Sequence, residues 1–197
     1  WVLYRSTNRT RGNIEQNVSD INFTSYEDFY TEKRPFFIND THIFFTPINI
    51  FYSQRIGSSI IHNDQLYNVY LNDAFRIDGS SDNNFHYGLL FSQSSIDDDS
   101  ITFDNKKIKT IVSRVNKNII NDNSHIGFMN TIYENSENLS KVYAIDGLFN
   151  LLDNKLKIDG QIALSKIDNI AHNGLGQSYE LSYTDIIKGA HNQFFNN

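Results

Sequence analysis

The chain has 197 residues, with 17 basic residues against 23 acidic ones and a formal net charge of -6. That length fits one domain or two small ones, and the acidic balance gives a phosphate backbone nothing to hold, so no nucleic-acid partner is expected. The absence of cysteine rules out disulfides, thiolate metal sites and a cysteine nucleophile.

Asn (26), Ile (25) and the 26 Phe and Tyr residues dominate, while Ala occurs only 5 times. Aromatic and β-branched residues favour strands, and scarce Ala disfavours helices. No run of apolar residues is long enough for a membrane helix. Strands of a membrane barrel need only every second residue apolar, so that architecture stays open. The chain begins at Trp1 without a legible leader, which suggests a processed chain or a piece of a longer one.

Residues 1–34 are polar and irregular and hold Arg5, Arg9, Arg11 and Arg34. One short helical turn is expected before Pro35. Residues 36–56 alternate loosely through the aromatic pairs Phe36/Phe37, Phe44/Phe45 and Phe51/Tyr52. The pattern then settles into period 2. Over 66–78, Tyr67, Val69, Leu71, Phe75 and Ile77 share a face, with Asp73 the exception. After a turn at "GSSDNN", 85–94 sets Phe85, Tyr87, Leu89 and Phe91 opposite His86, Gly88, Leu90 and Ser92. An Asp-rich loop follows at 95–105. Residues 106–118 alternate poorly, whereas 124–133 align Ile126, Phe128 and Ile132. Segment 139–152 aligns Tyr143, Ile145, Gly147, Phe149 and Leu151, and "DN" at 153–154 reads as a tight turn. "KLKIDGQIALSK" is the cleanest strand, with Leu156, Ile158, Gly160, Ile162 and Leu164 on one side. After a loop at 168–176, segment 177–187 aligns Tyr179, Leu181 and Tyr183.

This pattern predicts an all-β antiparallel meander, and the absence of intervening helices excludes βαβ folds. The strands are long, and short and long connections roughly alternate, as in outer-membrane barrels. The leading expectation is therefore a meander forming part of a transmembrane β-barrel. Its apolar face would meet outer-membrane lipid and its polar face a lumen. Residues 1–64 would form a polar junction or partial plug with the first short strands, and 65–197 the long hairpins of an incomplete barrel. The competing expectation is a soluble periplasmic or secreted β-sheet module that binds a glycan in a groove of aromatics and amides. The directions of Tyr67, Phe85, Leu89, Ile158 and Ile162 bear on the choice.

Signals for chemistry are weak. Asp97, Asp98 and Asp99 lack the spacing, glycine and distant glutamate of a calcium loop and read as a solvated acidic loop. Glu27, Asp28 and Glu32 precede Lys33 and Arg34, which suggests a local charge network; Glu27 and Glu32 are the only nearby pair a hydrolase reading could nominate. The histidines His42, His62, His86, His125, His172 and His191 form no zinc motif. Ser58 and Ser59 follow Gly57 without a nucleophile elbow. Lys155, Lys157, Asp159 and Gln161 fall on the polar side of their strand. No catalytic, cofactor-binding or metal residue is assigned, no cofactor is expected, and a binding role is favoured over an enzymatic one.

"EDFYTEKRPFFIND" and "TPINIFYSQRIG" resemble a signature of uncharacterised bacterial outer-membrane proteins, approximately "FFxEKRPFFLEG…LFYSRRIG". Those proteins carry a family-9-type carbohydrate-binding domain followed by a large β-rich domain of unknown function. Glu32, Lys33, Arg34, Pro35, Phe36 and Phe37 match the first part; Phe51, Tyr52, Ser53, Arg55, Ile56 and Gly57 match the second. "RVNKNIINDNSHIGFMNT" and "SKVYAIDGLFNLLDNKLKIDG" resemble two hairpins of the same proteins. Asn39–Asp40 stands where Glu–Gly is common, and Gln54 replaces an arginine. The resemblance implies an outer-membrane location, a barrel fragment without its sugar-binding domain, and a link to glycan binding or uptake.

Overall fold

The computed structural model describes residues 2–6, 10–11, 34–38, 41–57, 60–62, 65–67, 69–96, 107–135, 138–168, 173–184, 186–187 and 190–191. The short strands β1 (Val2–Ser6) and β2 (Thr10–Arg11) come first, then the helical turn α1 (Pro35–Ile38). Two 3-10 turns follow at Thr41–Phe44 and Ser53–Arg55. A small ladder pairs β3 (Ile60–His62) with β4 (Gln65–Tyr67).

The seven long strands are β5 (Val69–Ser81), β6 (Phe85–Ile96), β7 (Lys107–Asn118), β8 (His125–Glu134), β9 (Leu139–Leu151), β10 (Leu156–Ile167) and β11 (Gly174–Tyr183). Each pairs antiparallel with the next, and β1 and β2 pair with the outer side of β5. A last small ladder joins β12 (Ile186–Ile187) to β13 (Ala190–His191).

The predicted meander is present, but the transmembrane barrel is not. Among the described residues β11 pairs only with β10, and no strand bridges β11 to β1. The sheet is open. Closure is what removes a barrel's edges, and an edge in hydrocarbon would leave a row of N–H and C=O groups without partners. The expected outer-membrane location and lipid partner therefore fall with the barrel. The directions of the test residues are not what overturns the barrel: Phe85, Leu89, Ile158 and Ile162 are exposed and Tyr67, in β4, is half-buried. Closure is what fails.

The covered face is the other one. Residues 34–38 and 41–57 lie across it as a strap. Phe37, Ile43, Phe44 and Ile56 of the strap form one core with Leu71, Ala74, Leu90, Val112 and Met129 of β5 to β8. Each of the larger side chains withdrawn from water contributes roughly 1.5–3 kcal/mol, which fixes the strap on that face. Gly88 makes room for it, because a Cβ there would lie 2.9 Å from the Phe44 ring. A helical turn starts at Pro35, where the missing N–H costs nothing, and the turn expected before Pro35 lies outside the described residues.

Two local features depart from the sequence pattern. The pairing of β5 with β6 slips between Leu71 and Asp73, a β-bulge. Val69 and Leu71 therefore face the strap, while beyond the bulge Ala74, Arg76 and Asp78 do so and Phe75 and Ile77 turn outward. Asp73, the exception in the alternation, marks the slip. The poorly alternating segment is the regular strand β7, whose inward residues Ile108, Val112 and Arg114 are chemically mixed.

Candidate functional site

The space between strap and sheet holds the candidate site, and two arginines and a glutamine fix its roof. Arg34 donates from Nη1 to the Ile56 carbonyl at 2.7 Å and from Nη2 to the Ser53 carbonyl at 2.8 Å. Its guanidinium also lies 4.3 Å from the Phe37 ring centroid. One side chain thus joins the two ends of the strap. Arg76 donates from Nη1 to the Phe36 carbonyl at 2.9 Å and from Nε to Asp78 at 2.8 Å. At the β10 side, the Ile48 N–H donates to Gln161 Oε1 at 2.5 Å.

Beneath the strap's middle lies a buried charge pair. Arg114 on β7 donates to Asp146 Oδ2 on β9 at 2.6 Å, passing over β8 at Gly127. A Cβ on Gly127 would meet Asp146 Oδ1 at 2.8 Å and Arg114 Nη2 at 2.9 Å, so the glycine is the gap through which the pair meets. His125 Nε2 stands 3.5 Å from the same carboxylate oxygen. Burial pushes the Asp146 carboxyl upward, but the hydrogen bond from His125 and the Arg114 charge outweigh it and hold the group below its ordinary value. Several buried atoms beside the pair have no hydrogen-bond partner among the described residues, including Arg114 Nε and Nη1, Asp146 Oδ1 and Gln161 Nε2.

Towards the other end of the strap a cavity of about 340 Å³ separates it from β5 to β9. The strap supplies Phe51, Tyr52, Arg55 and Ile56 to its wall. The sheet supplies apolar Val69, Ile108 and Val142 and the hydroxyls of Ser94, Thr110, Tyr133 and Ser140. Tyr52 donates to Gln54 Oε1 at 3.2 Å. Burial raises the Tyr133 phenol above its usual value, while its hydrogen bond with Asn135 and the charge of Arg55 draw it partly back. Tyr133 is therefore a neutral phenol near pH 7, able to donate or accept. The volume lies within the range of small-molecule sites, and the mixture of aromatic walls with a few polar groups is typical of them.

The candidates named from sequence distribute unevenly. Glu27, Asp28, Glu32, Lys33, Asp97, Asp98, Asp99, Ser58, Ser59 and His172 lie outside the described residues. His42 is exposed, and His86 is half-buried opposite Asn116 of β7. His125 is the histidine that joins a charged group. Lys157 pairs with Glu180 at 3.2 Å near the open edge and away from the cavity. Gln161 points under the strap. Among the described residues no three His, Asp or Glu side chains converge as a metal site. The Arg114–Asp146 pair escaped notice because its residues are 32 positions apart. Its legible trace is opposite charges on inward positions of β7 and β9 with a glycine between them on β8.

Fold and site define an open antiparallel-sheet domain whose strap encloses a small-molecule-sized cavity. The chain belongs to the DUF5916 family, described as a domain of unknown function, which matches residues 12–196. This corrects the expected membership of an outer-membrane barrel family, since the described sheet of this member is open. No curated protein and no solved structure matches the chain.

Proposed function

We propose that the protein is a β-sheet module that binds a glycan, with one sugar residue seated in the cavity between strap and sheet. The observation that carries this reading is the cavity wall itself. Phe51 and Tyr52 offer aromatic surface to the apolar C–H face of a sugar ring. Four hydroxyl-bearing residues of the sheet offer hydrogen bonds to its hydroxyls. The role is binding rather than turnover. Among the described residues the wall pairs no nucleophile with a base, and its ionisable groups there are Arg55 and two phenols, which suit recognition better than proton transfer near neutral pH.

Calorimetric titration of the protein with a panel of neutral and acidic mono- and oligosaccharides tests the proposal. Saturable binding that disappears in Val142→Phe, a variant that fills the cavity, is the expected result. Thermal melting of that variant establishes that it still folds. Binding of no member of the panel, or full binding by the folded Val142→Phe protein, rejects the proposal.

A further inference from the structure

We infer that the bare apolar face of the sheet is an interface, occupied by a second copy of this chain stacked face to face across a two-fold axis. The face is exposed in the single chain. Val115 of β7, Phe128 of β8, Ile145 of β9 and Ile162 of β10 are paired neighbours in one outward row, with Ile145 61% and Ile162 59% exposed. Leu175 and Tyr179 carry the exposed surface onto β11. Apolar surface costs free energy in water in proportion to its area. The largest such patch on an ordinary monomer is only about 300–600 Å².

The area matches what a stable dimer needs. Strands about 4.8 Å apart, each with about ten residues at about 3.3 Å, give β7 to β11 a flat span of roughly 800 Å². Protruding side chains add to that span, and standard interfaces take about 800 Å² from each partner. The charges are placed as in an interface with an apolar core and a polar rim. Among the described residues, the outward positions of β8 to β11 carry charge only near one end of the strands, at Glu134, Lys141 and Lys166. Lys141 pairs there with Asp168 at 3.7 Å. Lys117 of β7 leans over the Phe85 ring of β6, 4.8 Å from its centroid and away from the centre of the face.

The face is also complementary to itself. In β10 the protruding Ile162 stands two residues from Gly160, and strand alternation turns both to the bare side. Beyond its chain neighbours, a Cβ on Gly160 would have only the Ser178 carbonyl oxygen within 4 Å, at 3.4 Å, so the face has a gap there. A two-fold axis lying in the interface and crossing β10 at Gln161 sets Ile162 of each copy over Gly160 of the other, the reciprocal contact of an isologous pair. The same axis lays the lysine-bearing strand ends of one copy over the hairpin turns of the other, which keeps like charges apart. Stacked sheets sit about 10 Å apart and turned by about 30°, which keeps β7 to β11 in contact while sheet twist carries β5 and β6 away. The cavity lies on the opposite face, so this inference stands apart from the glycan reading.

Sedimentation equilibrium of the full chain at about 1–100 μM, the span in which a micromolar dimer dissociates, tests the inference. A single monomer–dimer equilibrium is expected. Ile162→Lys should raise its dissociation constant about a hundredfold or more, because the two-fold axis buries the new charge twice. Ile145→Lys should do the same from the neighbouring strand. Both positions are well exposed in the single chain, and circular dichroism establishes that each variant keeps its strands. Phe45→Lys makes a like exchange at an exposed residue of the strap and should leave the dimer intact. A native chain that stays monomeric at the highest concentration, whether or not it binds phosphatidylcholine vesicles, overturns the inference. So does assembly without a fixed size, a dimer that survives both folded lysine variants, or one that Phe45→Lys dissolves equally well.

Discussion

The two faces of the meander differ in a way that reverses the usual rule of apolar inside and polar outside. The covered face carries Ser92, Arg114, Asp146 and Gln161, all buried, among small and medium apolar side chains. The bare face carries Phe128, Ile145, Ile162, Leu175 and Tyr179, each exposed. Burial is thus decided by where the strap can dock, not by which face is more apolar. The strap brings its own hydrophobic residues, above all Phe37, Phe44 and Ile56, and needs a facing surface with space. Small inward residues such as Gly88, Gly127, Ala144 and Ala163 provide that space; bulky outward residues could not.

The contrast breaks most sharply at the buried charges. Asp146→Ala would leave the Arg114 guanidinium buried without its carboxylate, and a loss of about 3–5 kcal/mol in a urea unfolding experiment is expected. Replacing Gly88 by Ala drives a methyl group towards the Phe44 ring, with an expected loss of about 1–3 kcal/mol by the same measurement. At the far end of the scale, Lys157→Ala removes an exposed pair with Glu180 and should cost less than about 1 kcal/mol.

Acid sharpens the same comparison. The Asp146 carboxyl is held below its ordinary value in the folded protein, whereas in the unfolded chain it titrates near about 3.9. The unfolded state therefore takes up the proton first as pH falls. The stability from this group is full above the unfolded value and drains away as pH drops towards the folded one. Urea midpoints measured from pH 6 to pH 3 should fall more steeply for the native protein than for Asp146→Asn. Parallel curves would show that the pair is not held as described.

Much of the sheet was legible from period-2 alternation, because most of its strands, β7 excepted, keep one face greasy along much of their length. The β-bulge of β5 also left a trace, Asp73. What alternation cannot carry is which face a separate segment covers, and whether the last strand returns to the first. Both depend on contacts far apart in sequence, such as Arg76 with Phe36, 40 residues away, and Gln161 with Ile48, 113 residues away. Loop lengths and strand lengths suggested a barrel, but neither quantity specifies closure. The strap was visible only as aromatic pairs with loose alternation, and its short turns lack the periodic stripe that announces a longer helix. The cavity could not be read at all before the register was known. Its wall draws residues from the strap and from five strands.

Neighbouring leucines in β6 test the central claim most directly, since they share chemistry and backbone and differ only in the face they occupy. Leu90 is 0% exposed beneath the strap and Leu89 is 40% exposed on the bare face. Urea unfolding of the two alanine variants should show a loss of about 2–5 kcal/mol for Leu90→Ala and less than about 1 kcal/mol for Leu89→Ala. Equal losses, or a larger one at Leu89, would contradict a strap packed on the polar face.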